Sequence, residues 1–321
     1  MNTVVTGAAG FVGAALCGRL LARGDAVVGV DDFNAYYAVS LKVARADRLT
    51  VHRDFEMRRL DVADSDAVAA LVAELRPERV IHLAAQAGVR HSIDNPFAYQ
   101  RANVAGHLSV LEACRRTESV RHLLYASSSS VYGERSIDGP FREEEAADTP
   151  TSLYAATKRS AELMSAVYAR LYGLPQTGLR FFTVYGPWGR PDMAYYSFTR
   201  AIASGEPIEV YGEGRMARDF TYIDDILDGI VGALDHPPSQ GEHRLFNIGD
   251  SRPVGLMRMI EILEQALHRP ALKRFVPMQP GDVSATYADI SKLHALCGYR
   301  PKVTLEEGLP RFVEWWREYE R

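Results

Sequence analysis

Cysteine is scarce in this chain. Cys17, Cys114 and Cys297 lie far apart, with no CxxC or other metal-ligand spacing. That excludes a disulfide scaffold and a zinc module, and leaves three small buried hydrophobes of a reducing compartment. Long apolar runs are also missing, because Gly, Arg or Asp interrupts each one well short of the ~18 residues a membrane helix needs. Neither charge dominates: 37 Lys and Arg stand against 41 Asp and Glu, a net charge of -4. The basic footprint of a nucleic-acid binder is therefore absent. Met1-Asn2-Thr3-Val4-Val5-Thr6-Gly7 enters an apolar run without a basic leader, and no lipidation signal closes the chain. A cytoplasmic protein is the expectation. What is present is ordinary for a folded chain: 321 residues, 47% hydrophobic and 24% charged. The length suits about two domains of ~150 residues, or one α/β domain with a large appendage.

Short β-branched runs at residues 3–6, 26–30, 57–60, 80–83, 123–126 and 177–181 read as buried strands. Helical patterns at 14–22, 65–75 and 104–114 fall between them. This alternation predicts an α/β fold with a parallel sheet covered on both faces. From Thr183 the pattern loosens under Pro187, Gly189, Pro191, Pro207, Gly212 and Gly214. Short strands are expected at 208–211, 245–248 and 273–276, with helices at 223–234 and 306–319. Residues 1–180 are thus expected to form the first domain, with about 220–250 packing back on it, and 181–321 a smaller α/β lobe. Glu143-Glu144-Glu145 reads as a solvated loop face.

The chemistry starts at Gly7-Ala8-Ala9-Gly10-Phe11-Val12-Gly13, between the first strand and the first helix. Gly7 permits the tight turn, Gly10 the approach of a pyrophosphate, and Gly13 close packing of helix on strand. The helix N-terminus at Phe11 and Val12 offers free N–H groups and a partial positive charge to phosphate. Asp31 ends the second strand, where a carboxylate accepts hydrogen bonds from both ribose hydroxyls and repels a 2′-phosphate. NAD is favoured over NADP, against the alternative that Asp31 or Asp32 caps a turn. Asp61-Val62 follows the third strand. There Asp61 could reach the adenine amino group or cap the helix that starts near Asp64, and the spacing does not choose between them. Leu83-Ala84-Ala85-Gln86 follows the fourth strand with small residues that leave room for the cofactor.

Tyr154-Ala155-Ala156-Thr157-Lys158 falls on a predicted helix. Residues four apart share a face, so Lys158 lies one turn from Tyr154. A phenol with a pKa near ~10 is a poor base at neutral pH. A neighbouring ammonium and a positive nicotinamide both favour the phenolate. It can then take a hydroxyl proton while the carbon loses hydride. Upstream, Ala126-Ser127-Ser128-Ser129-Ser130-Val131-Tyr132-Gly133 brings hydroxyls to the carboxyl end of a strand. Ser128 is placed to share the substrate's proton, with Ser129 beside it.

These features together resemble the extended short-chain dehydrogenases/reductases that act on nucleotide sugars, over nearly the whole chain. More narrowly, Arg180-Phe181-Phe182-Thr183-Val184-Tyr185-Gly186-Pro187-Trp188-Gly189-Arg190-Pro191-Asp192-Met193 is similar to UDP-glucuronate 4-epimerases. So are Asp32-Phe33-Asn34, Ala217-Arg218-Asp219-Phe220-Thr221-Tyr222-Ile223-Asp224-Asp225 and Met278-Gln279-Pro280-Gly281-Asp282-Val283. The resemblance implies a UDP-sugar substrate and NAD, with Asn34 and Lys42 at the adenosine half of the cofactor. It puts Arg218 on the UDP phosphates, Asp282 on the uridine ribose, and Thr183 and Arg190 against the sugar ring. Without it, Arg218 is equally readable as a partner of Asp219 or Asp224, Asp282 as a loop cap and Arg190 as an exposed loop cation. Ala14-Ala15 departs from the Ser-His more usual in relatives. The 4,6-dehydratases carry Asp-Glu where this chain has Ser129-Ser130, and the UDP-glucuronate decarboxylases a Glu. Without that acid, hydride return is the open fate of a 4-keto intermediate. Relatives also imply a homodimer through helices around 103–115 and 154–172. For the first lobe the resemblance implies a Rossmann-type, doubly wound parallel sheet. The competing expectations are a UDP-glucose/UDP-galactose 4-epimerase, a nucleotide-sugar dehydratase or decarboxylase, which Ser129 and Ser130 disfavour, and, from another class, a non-catalytic NAD-binding regulator.

Overall fold

The computed structural model describes residues 2–133, 139–278 and 285–320. The chain opens with β1 (Asn2–Thr6), α1 (Phe11–Ala22), β2 (Ala26–Asp31), α2 (Val39–Thr50), β3 (Phe55–Arg59), α3 (Ser65–Leu75) and β4 (Arg79–His82). Two short helices, α4 (His91–Asp94) and α5 (Pro96–Tyr99), lead through a π-helical turn (Gln100–Ala105) into α6 (Gly106–Arg115). Then come β5 (His122–Ser128), a 3-10 turn (Ser129–Tyr132), α7 (Leu153–Tyr172), β6 (Gln176–Phe181), β7 (Thr183–Tyr185) and α8 (Ala194–Ser204). The remainder is β8 (Pro207–Tyr211), β9 (Ala217–Tyr222), α9 (Ile223–Asp235), β10 (His243–Ile248), β11 (Pro253–Gly255), α10 (Leu256–Leu267), β12 (Leu272–Val276), α11 (Ser291–Cys297) and α12 (Leu305–Tyr319).

The chain divides into two compact units. The first gathers residues 1–133, 146–180 and 230–246, the second 134–145, 181–229 and 247–321. The first unit is built on a seven-stranded sheet of order β3-β2-β1-β4-β5-β6-β10, with β1 to β5 paired in parallel. The order reverses between β1 and β4, and open sheets of this kind bind ligands at the carboxyl edge beside such a reversal. Val4, Val28, Val30 and Val80 of the strands pack with Val68, Leu71 and Val72 of α3 and Val110 and Leu111 of α6. Strands buried on both faces carry these near-continuous β-branched runs because neither face meets water.

In the second unit, β7, β9 and β11 form a small sheet, with Thr183 beside Phe220 and Val254 beside Arg218. A two-stranded ribbon joins β8 and β12 in parallel. Here the acidic run departs from expectation. Glu143 is half-buried and accepts the backbone N–H of Asn247 at 2.7 Å, so it is structural and not a solvated face. Glu144 is exposed and pairs with Lys292.

Candidate active site

Every sequence-predicted group of the first unit follows the carboxyl end of a strand or stands on the helix that covers it. Gly7 has φ +72°, and a Cβ there would lie 2.7 Å from the backbone nitrogen of Ala84. At Gly13 a Cβ would lie 2.0 Å from the carbonyl oxygen of Gly7. Only glycine lets the turn sit this close to β4 and lets α1 start this close to the turn. No side chain caps α1 at Gly10, so the first-turn N–H groups beside Phe11 and Val12 are left for an anion.

Asp31, the last residue of β2, is buried and held on both oxygens. Ala9 N–H donates to Oδ2 at 3.0 Å and Phe33 N–H to Oδ1 at 2.9 Å. Burial raises its pKa, while those N–H groups and the nearby Lys42 ammonium pull it back. Both carboxylates brace the turn, for as Asp31 takes Phe33 N–H, so Asp32 Oδ1 accepts the backbone and side-chain N–H groups of Asn34, both at 2.9 Å. Asn34 Oδ1 in turn accepts a hydrogen bond from Lys42 Nζ at 3.0 Å. The fold thus brings together Asp31, Asn34 and Lys42.

The third strand ends differently. Asp64, not Asp61, caps α3, accepting Ala67 N–H at 3.1 Å. Asp61 takes Ala63 N–H at 2.8 Å and an ion pair with Arg101 at 2.7 Å, and Val62 is buried in the core. After β4, Leu83, Ala84 and Ala85 are half-buried and Gln86 is buried. Gln86 Nε2 has no hydrogen-bond partner. A buried donor of this kind is costly unless a ligand group satisfies it.

These features fit NAD: uncapped N–H groups for a pyrophosphate, an oriented carboxylate for a ribose, and an orphaned amide donor beside the reversal of strand order. Gly7, Gly10, Phe11, Val12, Asp31, Asn34, Lys42 and the 83–86 segment would hold it.

Ser152, two residues before Tyr154, caps α7 and accepts Ala155 N–H at 3.1 Å, which starts the helix at Leu153. Lys158 is buried and donates to the Ala126 carbonyl at 2.8 Å. Burial lowers its pKa to about 8, against the pull of Glu162 one turn further on. Ser128 Oγ accepts Ser130 N–H at 3.2 Å and lies 2.9 Å from Ser130 Oγ, so the serine turn is internally braced. Ser129 is half-buried within it. The set is a phenol, an ammonium one turn away and hydroxyls at a strand end, which is equipment for moving a proton to and from a substrate hydroxyl.

Two buried groups escaped the sequence reading. Asn103 Oδ1 accepts Gln86 N–H at 2.8 Å, while its Nδ2 donates to the Gln86 carbonyl and to Thr157 Oγ1, both at 3.0 Å. Thr157 Oγ1 donates to the Tyr154 carbonyl at 2.8 Å, so this amide ties the cofactor segment to the tyrosine helix. Tyr99 meets the Tyr154 ring edge-on at 6.1 Å. The turn that carries Asn103 also holds Gln100 and Arg101, so no apolar stripe singles the amide out in the sequence.

The second unit carries the remaining candidates. Thr183 opens β7, and Arg218 of β9 donates to the Ala217 carbonyl at 2.9 Å and approaches the Met216 sulfur at 3.7 Å. Asp219 is not its partner. That carboxylate is consumed by the backbone N–H groups of Asp250, Ser251 and Ala288 at 2.7–3.0 Å. Arg190 forms a two-point ion pair with Asp192, at 3.1 Å from Nε and 2.6 Å from Nη2. Asp282 lies outside the described residues. Among the described residues, no group of three His, Cys, Asp or Glu side chains could hold a metal, and no helix is long and apolar enough to cross a membrane.

Fold and site together define a dinucleotide-dependent α/β scaffold that sets a tyrosine and a buried lysine on one helix. The chain belongs to the NAD dependent epimerase/dehydratase family, whose model matches residues 3–249. It is 46% identical to a probable UDP-glucuronate 4-epimerase of Rhizobium meliloti, across 98% of this chain and 97% of that protein. It is equally 46% identical to UDP-glucuronate 4-epimerase 1 of Arabidopsis thaliana, across 99% of this chain and 77% of the plant protein. Among solved structures, UDP-glucuronic acid 4-epimerase from Bacillus cereus, in complex with UDP-glucuronic acid and NAD, superposes with a TM-score of 0.93. The identity there is 36%, with 99% of this chain and 100% of that chain covered.

Proposed function

We propose that this protein is an NAD-dependent 4-epimerase that interconverts UDP-glucuronic acid and UDP-galacturonic acid. The observation that carries the reading is the joint presence of the Tyr154/Lys158 helix face and a serine turn without an acid, in a chain similar from end to end to UDP-glucuronate 4-epimerases. Bound NAD supplies the chemistry of taking the C4 hydride and giving it back. Tyr154 removes the C4 hydroxyl proton and later returns it, and Ser128 shares that proton. Lys158 favours the phenolate by its charge. Ser129 and Ser130 stand where an eliminating enzyme needs a carboxyl group, so the 4-keto sugar is not dehydrated. It turns about its link to the diphosphate and is reduced on its other face.

Arg218 takes the diphosphate, Asp282 the uridine ribose, and Thr183 the sugar. Arg190 takes the uronate carboxylate, where a guanidinium can bind in the two-point geometry it already uses with Asp192. Holding that carboxylate restrains loss of CO₂ from the 4-keto acid. Incubation with UDP-glucuronate, followed by separation of the sugar nucleotides, tests the assignment. UDP-galacturonate is the expected product, and conversion of UDP-glucose alone would refute it.

The enzyme is further proposed to be a cytoplasmic homodimer. Leu163, Val167 and Leu171, four apart on α7, are 54%, 51% and 65% exposed, and Leu108 of α6 is 40% exposed. An apolar stripe of this kind on a helix pair suits a self-complementary interface. Val167→Asp should sediment as a monomer, whereas an unchanged sedimentation coefficient would contradict this assembly.

A further inference from the structure

The face of α7 that carries Tyr154 and Lys158 continues one turn further to Glu162, which is almost wholly buried. A buried carboxylate persists only when it is paired and hydrogen-bonded. Glu162 Oε1 accepts Arg180 Nε at 2.8 Å and the Ser127 hydroxyl at 2.6 Å. Its Oε2 accepts Arg180 Nη2 at 2.8 Å and Arg159 Nη1 at 3.0 Å. Arg180, at the end of β6, is itself buried, and its guanidinium carbon lies 4.6 Å from the centroid of the Tyr132 ring. Arg180 Nη1 has no hydrogen-bond partner, which fits a cation engaging an aromatic ring.

Ser127 and Tyr132 bracket Ser128, Ser129 and Ser130. The pair therefore grips the serine turn at both ends, one by a hydrogen bond and the other by a cation–π contact. Lys158 adds a third fixing point through the Ala126 carbonyl. Three elements meet here, and each contributes a group to the proton-handling set or holds one in place.

We propose that Glu162, with Arg180, is a positioning residue for the proton transfer: the pair fixes the serine turn against the Tyr154–Lys158 face, and the Glu162 carboxylate is the charge that favours the Lys158 ammonium. The inference rests on the assignment of Tyr154 as the base. Burial depresses the Lys158 pKa and Glu162 opposes that depression. Other elements also face the ammonium. His82 of β4 and His107 of α6 are both held neutral by burial and by Lys158 itself, so they add no charge at working pH. Arg159 and Arg180 act on it through the carboxylate they share.

Glu162→Gln leaves Arg180 buried without its counter-charge and can fail to fold, so the Glu162→Gln/Arg180→Met double variant carries the test. Replacing a whole buried pair by uncharged groups is often tolerated. The double variant should keep bound NAD and the KM for UDP-glucuronate while losing about 10- to 100-fold in kcat, the scale of a misplaced reacting group. The Lys158 ammonium, followed by NMR and assigned by its absence in Lys158→Arg, should titrate below its native midpoint, because Glu162 is the charge that acts on it. Glu162→Asp keeps the charge and should keep the midpoint near that of the native protein. A folded double variant with native kcat, or with a native Lys158 midpoint, overturns the proposal. The NMR titration needs no sugar. An inactive native enzyme would thus count against the proposed substrate while the shift, present or absent, still decides the clamp.

Discussion

Acid should unfold the first unit through its histidines before it touches most of the carboxylates. Three imidazoles of that unit are buried, His82 on β4, His107 on α6 and His122 on β5, and a fourth, His243 on β10, is half-buried. Burial lowers His82 to about 3 and His122 and His243 to about 4, and holds His107 well below the usual value. Each is neutral in the folded protein and titrates near 6.5 once unfolded, so between those values the unfolded chain binds more protons. Stability is therefore full above 6.5 and falls as pH drops toward the folded pKa, by about 1.4 kcal/mol per unit per ring. From pH 7 to 5.5 the loss is roughly 1 kcal/mol for each, or about 4–5 kcal/mol together. A domain has only about 5–15 kcal/mol to lose.

Asp31, with its raised pKa, works in the opposite sense within this unit, and so does Asp250 in the second unit, pushed up to about 6. Neither matches four rings. Urea midpoints measured at half-unit steps, with salt held constant, should fall steeply between pH 6.5 and 5.5. His122→Gln, which removes one titrating ring beside Thr177, should flatten the slope by about one proton. A midpoint that is level or rises across this range would refute the reasoning.

Asp31→Ala should weaken NAD retention by about 1–3 kcal/mol, the scale of a lost charge-assisted hydrogen bond, as read by calorimetry. A native enzyme preferring NADP would contradict the role given to that carboxylate. Tyr154→Phe should keep its fold and its NAD and lose about 10²–10⁴ in turnover. A fully active Tyr154→Phe enzyme would end the case for a phenolate base. Arg190→Ala should damage kcat/KM for UDP-glucuronate far more than any activity on UDP-glucose, since only the uronate offers the guanidinium a carboxylate. Equal losses on both sugars would leave Arg190 to the loop or the diphosphate.

Features written in local spacing were legible before the structure. The glycine turn, Asp31 at a strand end and the four-residue step from Tyr154 to Lys158 each depend on neighbours within a turn or two. Helix α2 went unseen because its buried face carries Lys42 and Arg45 as well as Leu41 and Leu49, so its stripe reads as polar. β7 and β11 span three residues each, too few for an alternation to register. Asn103, Glu162 and Glu143 have partners far away in sequence: Thr157, Arg180 and the backbone of Asn247. A buried polar side chain announces that it needs a partner, and only the fold says which. Asp61 shows the limit from the other side, since two carboxylates three residues apart suited one helix cap and the backbone chose Asp64.

Inversion at C4 by removal and return of the same hydride is tested most directly with UDP-glucuronate deuterated at C4 of the sugar. Product formed in ordinary water should be UDP-galacturonate with the deuterium still on C4, and Tyr154→Phe should form it about 10²–10⁴ more slowly. Deuterium lost to solvent, proton exchange at C5, or a decarboxylated pentose as the main product would contradict a 4-epimerase of this mechanism.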